Sequence, residues 1–365
     1  MNARKGNQLN MNLTAITGDG SGRISARDAA LAARYIAEGR TVVFPTETVY
    51  GLGANAWNRK AVERIFEIKG RPPDNPLIVH IAEEDMLPLL AEHISVTALK
   101  LMKNFWPGPL TLLFKKRAEV PDTVTASLPT VCVRMPANEI ALEIIGRADV
   151  PVAAPSANIS GRPSITTFRH ARAELEGLAD MIIDGGDCII GLESTVLQLD
   201  PQPLILRPGA ISREEIERVI GTHVSYYAHV KGASPSPGVK YRHYAPSRAT
   251  LLVASEEDLE DYRRRLEEGG YRVGIIAMKE TEVNGRVIRA GRKERYEEMA
   301  HNLFSSIREL DDGSVDFILV ESVHDKGVGA AIMNRLRKAS GNTDAKEVIA
   351  RAVRNNQKNS SVPRG

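Results

Sequence analysis

Across residues 25–38 the apolar positions Ala29, Ala32, Ala33, Ile36 and Ala37 recur at the spacing of one helix face, and Gly39 supplies a stop. The spacing predicts an amphipathic helix. The pattern then changes: residues 41–44 are a β-branched and aromatic run ending at Pro45, and residues 62–69 return to helical spacing. Further short apolar runs at 77–81, 110–114, 131–134, 152–154, 181–183 and 195–199 read as strands, with helices around 91–105 and 139–147. These elements predict an α/β region with a substantial sheet.

A helix over 212–220 ends at Gly221, and the stretch 231–246 carries three prolines, two glycines and little apolar pattern. It reads as a linker. Beyond it, strands at 250–254, 272–277, 286–289 and 316–321 alternate with helices around 256–267, 296–310 and 328–339, the pattern of a smaller parallel-sheet, Rossmann-like unit. The expected organisation is a first domain over 14–222, a linker or flap over 223–249, a second domain over 250–345 and a polar tail over 346–365. No fixed-period repeat is visible.

The chain has 365 residues, 42% of them hydrophobic, which suits about two domains of ~150 residues. Its formal charge of +2 supplies no global field toward nucleic acid or an anionic membrane, so any basic site must be local. Only Cys132 and Cys188 are present, without zinc spacing or a disulfide framework. No apolar run reaches the ~18 residues of a membrane span, and residues 1–10 lack the apolar core of a signal peptide. A soluble, cytoplasmic protein without membrane association is expected. The tail 355–365, ending Val-Pro-Arg-Gly, is assigned no function.

Candidate chemistry gathers at predicted strand ends of the first region: FPTETVYGLG (44–53), KGRPPDNPLIVH (69–80), WPGPLT (106–111), VRMP (133–136), APSAN (154–158), ESTV (193–196) and RPGA (207–210). The side chains are hydroxyls (Thr46, Thr48, Thr130, Ser156, Ser194), amides (Asn75, Asn158) and cations (Lys69, Arg71, Arg134, Arg207), with few acids. Guanidinium forks match carboxylate and phosphate oxygens, and lysine adds a compact charge, so the set suits a triphosphate and an amino-acid carboxylate.

These seven ordered clusters resemble the YrdC-like family of threonylcarbamoyl-AMP synthases over roughly residues 20–215. SPGVKYRHYAPS (236–247) and GVGAAIMNRLRKAS (327–340) are similar to the family's longer, two-domain form. The resemblance implies a YrdC-like twisted open α/β sheet with a basic cavity, plus a smaller C-terminal Rossmann-like α/β domain. It implies a nucleotidyltransferase that joins L-threonine, bicarbonate or CO2, and ATP into threonylcarbamoyl-AMP and pyrophosphate, for tRNA N6-threonylcarbamoyladenosine. Mg2+ would accompany ATP. By motif position, Thr48, His80, Arg134, Ala154 and Ser194 would hold threonine, while Lys69, Arg71, Asn75, Thr130, Ser156, Ser164, Arg207 and Tyr244 would hold ATP. Lys69 and Arg71 would act electrostatically, with no covalent nucleophile. Read as exposed cleft charges, they should be replaceable by Ala without loss of folding. A downstream threonylcarbamoyl transferase is the implied partner, with transient tRNA contact left open.

Plainer readings stand beside these. His80 alone would read as a half-buried core histidine. Ser156 lacks the G-x-S-x-G context of a nucleophile. Glu47 and Glu193 are candidate Mg2+ ligands without forming a tight acidic pair, so the metal ligands stay unassigned. Gly327-Val328-Gly329 reads as a helix-entry turn rather than a phosphate loop, and Arg335, Arg337 and Lys338 read as a solvated helix end. The linker 231–246, with Tyr241, His243 and Tyr244, reads as a flap over the first-domain cavity that places Tyr244 at the nucleotide. An RNA-binding module lacks RNP aromatics and basic excess; a carbamoyl-adenylate enzyme of hydrogenase maturation would need cysteine-rich zinc modules; a P-loop hydrolase would need G-x-x-x-x-G-K-[ST].

Overall fold

A computed structural model of the chain describes residues 14–227 and 243–360. The first part begins with β1 (Ala15–Gly18), α1 (Ala26–Ala37), β2 (Val42–Phe44), β3 (Gly51–Asn55), α2 (Arg59–Lys69) and β4 (Ile78–His80). It continues with α3 (Val96–Phe105), β5 (Leu110–Lys115), α4 (Asp122–Thr125), β6 (Thr130–Arg134), α5 (Glu139–Ala148) and β7 (Val152–Ala153). Then come α6 (Phe168–Leu175), β8 (Met181–Asp184), β9 (Thr195–Gln198), β10 (Leu204–Arg207), α7 (Arg213–Ile220) and β11 (Ser225–Tyr226). The eleven strands form one mixed sheet in the order β1-β8-β2-β3-β7-β4-β6-β5-β9-β10-β11.

Local chemistry sets the helix starts. Ser25, Asn58, Ser95 and Asn138 each accept a main-chain N–H of the first turn, and Ser212 with Glu215 forms a reciprocal capping box. The cap at Ser95 explains why the helix expected over 91–105 starts at Val96. Two helices bury apolar stripes on the sheet: Ala29, Ala32, Ala33 and Ile36 of α1 pack with Ile140, Ile144 and Ile145 of α5 over β2 and β8.

The second part contains β12 (Thr250–Ala254), α8 (Glu256–Glu268), β13 (Val273–Met278), β14 (Arg286–Gly291), α9 (Tyr296–Leu310), β15 (Phe317–Glu321), α10 (Val328–Ser340) and α11 (Ala345–Ser360). Its four strands are all parallel, in the order β12-β15-β13-β14. A mixed α/β sheet with a second, smaller parallel sheet is the expected fold class.

Several elements differ from the sequence reading. β3 was hidden by its glycines; Gly53 is required because a Cβ there would lie 2.5 Å from Phe44 Cε1 and 2.9 Å from Val152 Cγ1. β1, β10 and α6 were also unanticipated, and β11 extends the first sheet into the stretch read as linker. The polar tail expected from residue 346 is instead helix α11, where Ile349 is buried and Val348, Ala352 and Val353 pack with the face of α8. The linker's Tyr241, most of the cluster 236–247 and the terminal Val-Pro-Arg-Gly lie outside the described residues. Both cysteines are free and buried. Among the described residues no helix is long and apolar enough to cross a membrane.

Candidate functional site

The turn after β2 is buried throughout, and its hydroxyls are locked in series. Thr46 Oγ1 donates to Val49 O at 2.7 Å, so the 2.7 Å contact between Thr46 Oγ1 and Thr48 Oγ1 uses the Thr48 hydrogen. Thr48 Oγ1 in turn accepts from Arg134 Nη1 at 2.9 Å, which leaves it one acceptor pair. Arg134 ends β6 and is buried; its Nε donates to Gly108 O at 3.1 Å and its Nη2 lies 2.6 Å from Glu47 Oε1. Glu47, read as a candidate metal ligand, is thus the partner of Arg134.

His80 ends β4 directly opposite Arg134 in the parallel register. Burial, with Arg134 adding to it, lowers its pKa to about 3, so the imidazole is neutral at physiological pH. Its Nδ1 has no hydrogen-bond partner among the described residues.

The opposite side is cationic. Lys69, last residue of α2, is only 1% exposed, and its Nζ donates to the carbonyls of Ser156 and Asn158. Burial, with Arg71 second, holds its pKa well below the ordinary lysine value. Arg71 is also buried and donates to Asn75 O at 3.2 Å and Pro76 O at 2.8 Å. The expectation that these two are exposed cleft charges is therefore corrected. Arg207 ends β10 and donates through Nε and Nη2 to Ser194 O and through Nη2 to Ser194 Oγ, at 2.9–3.1 Å. Ser194 Oγ also lies 2.7 Å from Thr111 Oγ1.

Most of these side chains line one cleft of about 730 Å³, counting the part open to solvent, with Glu47 and Thr111 set behind its wall. Among the described residues four cations, Lys69, Arg71, Arg134 and Arg207, face it against the single carboxylate of Glu193. Burial alone would raise the Glu193 pKa, but Arg335 and Arg207 overcome it and bring the carboxyl down to about 2. His243 and Tyr244, where the described chain resumes, sit at the same cleft, and the Tyr244 ring stacks on Phe304 at 5.2 Å. Tyr244 thus reaches the cavity as expected, although most of the proposed flap lies outside the described residues.

Thr48, His80, Arg134, Ala154 and Ser194 all line this cleft, as do Lys69, Arg71, Ser156, Arg207 and Tyr244. Asn75, Thr130 and Ser164 do not. Asn75 is buried behind Arg71 with its amide unpartnered among the described residues. Thr130 opens β6 opposite Lys115, and Ser164 Oγ donates to Glu193 Oε1. Sequence reasoning missed Ser160 and Gly161, which follow the APSAN cluster and also line the cleft. It also misread Arg335: rather than a solvated helix end, Arg335 is fully buried on Glu193, at 2.9 Å from Nε to Oε2. Among the described residues no three His, Cys, Asp or Glu side chains cluster as a metal site.

Two family profiles cover most of the chain: the Sua5/YciO/YrdC profile, described as "Telomere recombination", over residues 34–209, and "Threonylcarbamoyl-AMP synthase, C-terminal domain" over 211–341. The chain is 48% identical over 328 residues to the threonylcarbamoyl-AMP synthase of Pyrococcus abyssi, spanning 87% of this chain and 96% of that protein. The chain belongs to the threonylcarbamoyl-AMP synthase family, in its two-domain form. Among other members, the Bacillus subtilis threonylcarbamoyl-AMP synthase is 46% identical over 323 residues, 86% of this chain and 92% of the relative. The crystal structure of P. abyssi Sua5 complexed with L-threonine superposes with a TM-score of 0.84 at 46% identity, over 90% of this chain and 98% of that one. This family setting gives the cleft's donor-rich, acid-poor lining a chemical context.

Proposed function

We propose that this cleft is where the protein, a threonylcarbamoyl-AMP synthase, joins L-threonine, bicarbonate-derived CO2 and ATP into threonylcarbamoyl-AMP and pyrophosphate for tRNA N6-threonylcarbamoyladenosine. The observation that carries this reading is the convergence of four buried cations, a neutral histidine and fixed hydroxyls on one cavity. Such a surface suits several negative charges at once.

The threonine nitrogen attacks the CO2 carbon and loses a proton, giving an N-carboxylate. A carboxylate oxygen then attacks the α-phosphorus of ATP, the bond to the β-phosphate oxygen breaks, and pyrophosphate leaves. Neither step needs a nucleophile from the chain, and orientation alone supplies up to about 7–11 kcal/mol in such steps. Arg134 is assigned to the threonine carboxylate, and the spare acceptor pair of Thr48 to a donor on threonine. Neutral His80 sits beside them and adds no competing positive charge. Lys69, Arg71 and Arg207 are assigned to the phosphates, Ser156 to the α-phosphate or ribose, and Tyr244 to the nucleotide's outer edge.

Mg2+ arrives with ATP as part of the substrate, on phosphate oxygens and water. The two carboxylates beside the cleft, Glu47 and Glu193, are each paired with an arginine, which fits that arrangement. A separate transferase consumes the adenylate, and a reducing cytoplasm suits the two free thiols.

The test is pyrophosphate release from Mg·ATP by the purified protein, with threonine and bicarbonate omitted in turn, and chromatography of the product. Dependence on both, with threonylcarbamoyl-AMP formed, is the expected result. Release indifferent to threonine would assign the cleft to another acceptor.

A further inference from the structure

The second unit does more than pack beside the cleft. Arg335, on α10, is fully buried, and its guanidinium faces the first unit on three sides. Nε donates to Glu193 Oε2 at 2.9 Å, Nη2 to Glu193 O at 3.3 Å and Nη1 to Pro208 O at 2.5 Å, while the Tyr244 ring lies 5.7 Å away. Glu193 and Pro208 are the chain neighbours of Ser194 and Arg207, two lining residues of the cleft.

The neighbouring helix repeats the arrangement. Arg308 of α9 donates to the carbonyls of Pro163 and Ser164 and to Glu174 Oε2, the last at 2.7 Å. Leu192 is buried in the second unit's core, and Gly191 approaches α9 so closely that a Cβ would lie 2.5 Å from Ala300 O. From the same loop, Ile190 N and Gly191 N donate to the carbonyls of Glu47 and Thr48, at 2.8 and 3.1 Å. One face of the second unit therefore grips the segments that carry Ser164, Ser194 and Arg207, and packs on the loop whose Ile190 and Gly191 hold the threonine-side turn.

We propose that Arg335 is a positioning residue for adenylate formation: the second unit completes the site by fixing the 193–194 and 207–208 segments through this one guanidinium. The proposal rests on the synthase reading above. Its three main-chain and side-chain acceptors require a planar fork, which lysine cannot reproduce. A displacement of about 1 Å in segments this close to the reacting groups lowers turnover by up to roughly a hundredfold.

The experiment compares Arg335→Lys, Arg335→Met and the double variant Arg335→Met/Glu193→Gln with the wild-type full-length chain. It reads threonine-dependent pyrophosphate release, KM for ATP and threonine, and thermal melting. Arg335→Lys keeps the charge beside Glu193 and should melt above Arg335→Met, yet lose roughly ten- to a hundredfold in kcat with smaller changes in KM. Arg335→Met should melt lower because a buried carboxylate is left unpaired, and Glu193→Gln in that background should recover the melting temperature without recovering kcat. Wild-type kcat in Arg335→Lys overturns the proposal, as does recovery of kcat together with stability in the double variant, since charge compensation would then be the whole role. Wild-type protein without threonine-dependent release would instead overturn the synthase reading.

Discussion

Lys69→Met separates the electrostatic role of the deepest cation from its structural one. The ammonium makes two charge-assisted hydrogen bonds, to Ser156 O and Asn158 O, worth together about 3–6 kcal/mol. Against them stands the desolvation of a charge only 1% exposed, a cost of several kcal/mol. The two nearly cancel, and both carbonyl-bearing residues line the cleft, where water can replace the lost donor. The variant should lose no more than about 2 kcal/mol of stability, and at roughly 2–4 °C per kcal/mol its melting temperature should fall by less than ~8 °C. Catalysis has no such compensation, because removing a positioned donor to developing charge costs about 2.7–4 kcal/mol, or roughly 100- to 1000-fold in kcat.

The depressed pKa adds a pH signature to the same variant. Between the folded-state pKa and the ordinary value of 10.5 the unfolded chain holds a proton that the folded lysine lacks. Stability from this group is therefore complete above about pH 10.5 and declines as pH falls toward the folded pKa. Urea unfolding should show wild type gaining on Lys69→Met as the pH is raised through that alkaline window. Pyrophosphate release from a folded Lys69→Met within threefold of wild type would refute the phosphate assignment. A loss that merely follows unfolding at the assay temperature would show that the lysine is structural.

Arg134→Lys gives up a fork that contacts Gly108 O, Thr48 and Glu47, and the KM for threonine should rise by roughly tenfold or more; steady-state kinetics showing the rise in the KM for ATP alone would place Arg134 on the nucleotide instead. His80 keeps a pKa of about 3 against an ordinary 6.5, so it destabilises the fold progressively as pH drops from about 6.5 toward 3, where only the unfolded chain takes up the proton. His80→Asn should lose less stability than wild type between pH 7 and pH 4 in urea titrations, and equal losses would contradict a buried neutral imidazole. Gly53→Ala places a Cβ 2.5 Å from Phe44 and 2.9 Å from Val152, and should cost about 1–3 kcal/mol by urea unfolding; an unchanged midpoint would mean that the Phe44 ring gives way freely.

What was legible in the sequence follows from how local each cause is. The helices α1, α2, α5 and α8 are apolar stripes with side-chain N-caps, and α9 and α10 carry the stripe without such a cap, so periodicity reaches all six. β3 was not legible because Gly53 is dictated by the Phe44 ring and Val152 across the sheet, a tertiary demand that, beside Gly51, looks locally like a loop. α11 was missed because Val348, Ile349, Ala352 and Val353 form a narrow stripe that gains meaning only against α8. In the cleft, the identity of the cations was readable, but their partners were not: Glu47 beside Arg134 and Glu193 beside Arg335 both looked like free acids suited to a metal.

Arg335 shows where a purely periodic reading had more to give. It lies four residues after Ala331, three after Ile332 and four before Ala339, all buried, so the helix places it on the inward face. A charge on that face demands a buried partner, and Glu193 is 142 residues away in sequence, on the other unit. The periodicity thus specifies that a partner must exist, while only the tertiary fold specifies which. Because that partner itself lines the cleft beside Ser194, one of the charges that tie the two units together is held in the cleft wall, and a change in their packing is transmitted to the site through a buried ion pair rather than through a flexible surface contact.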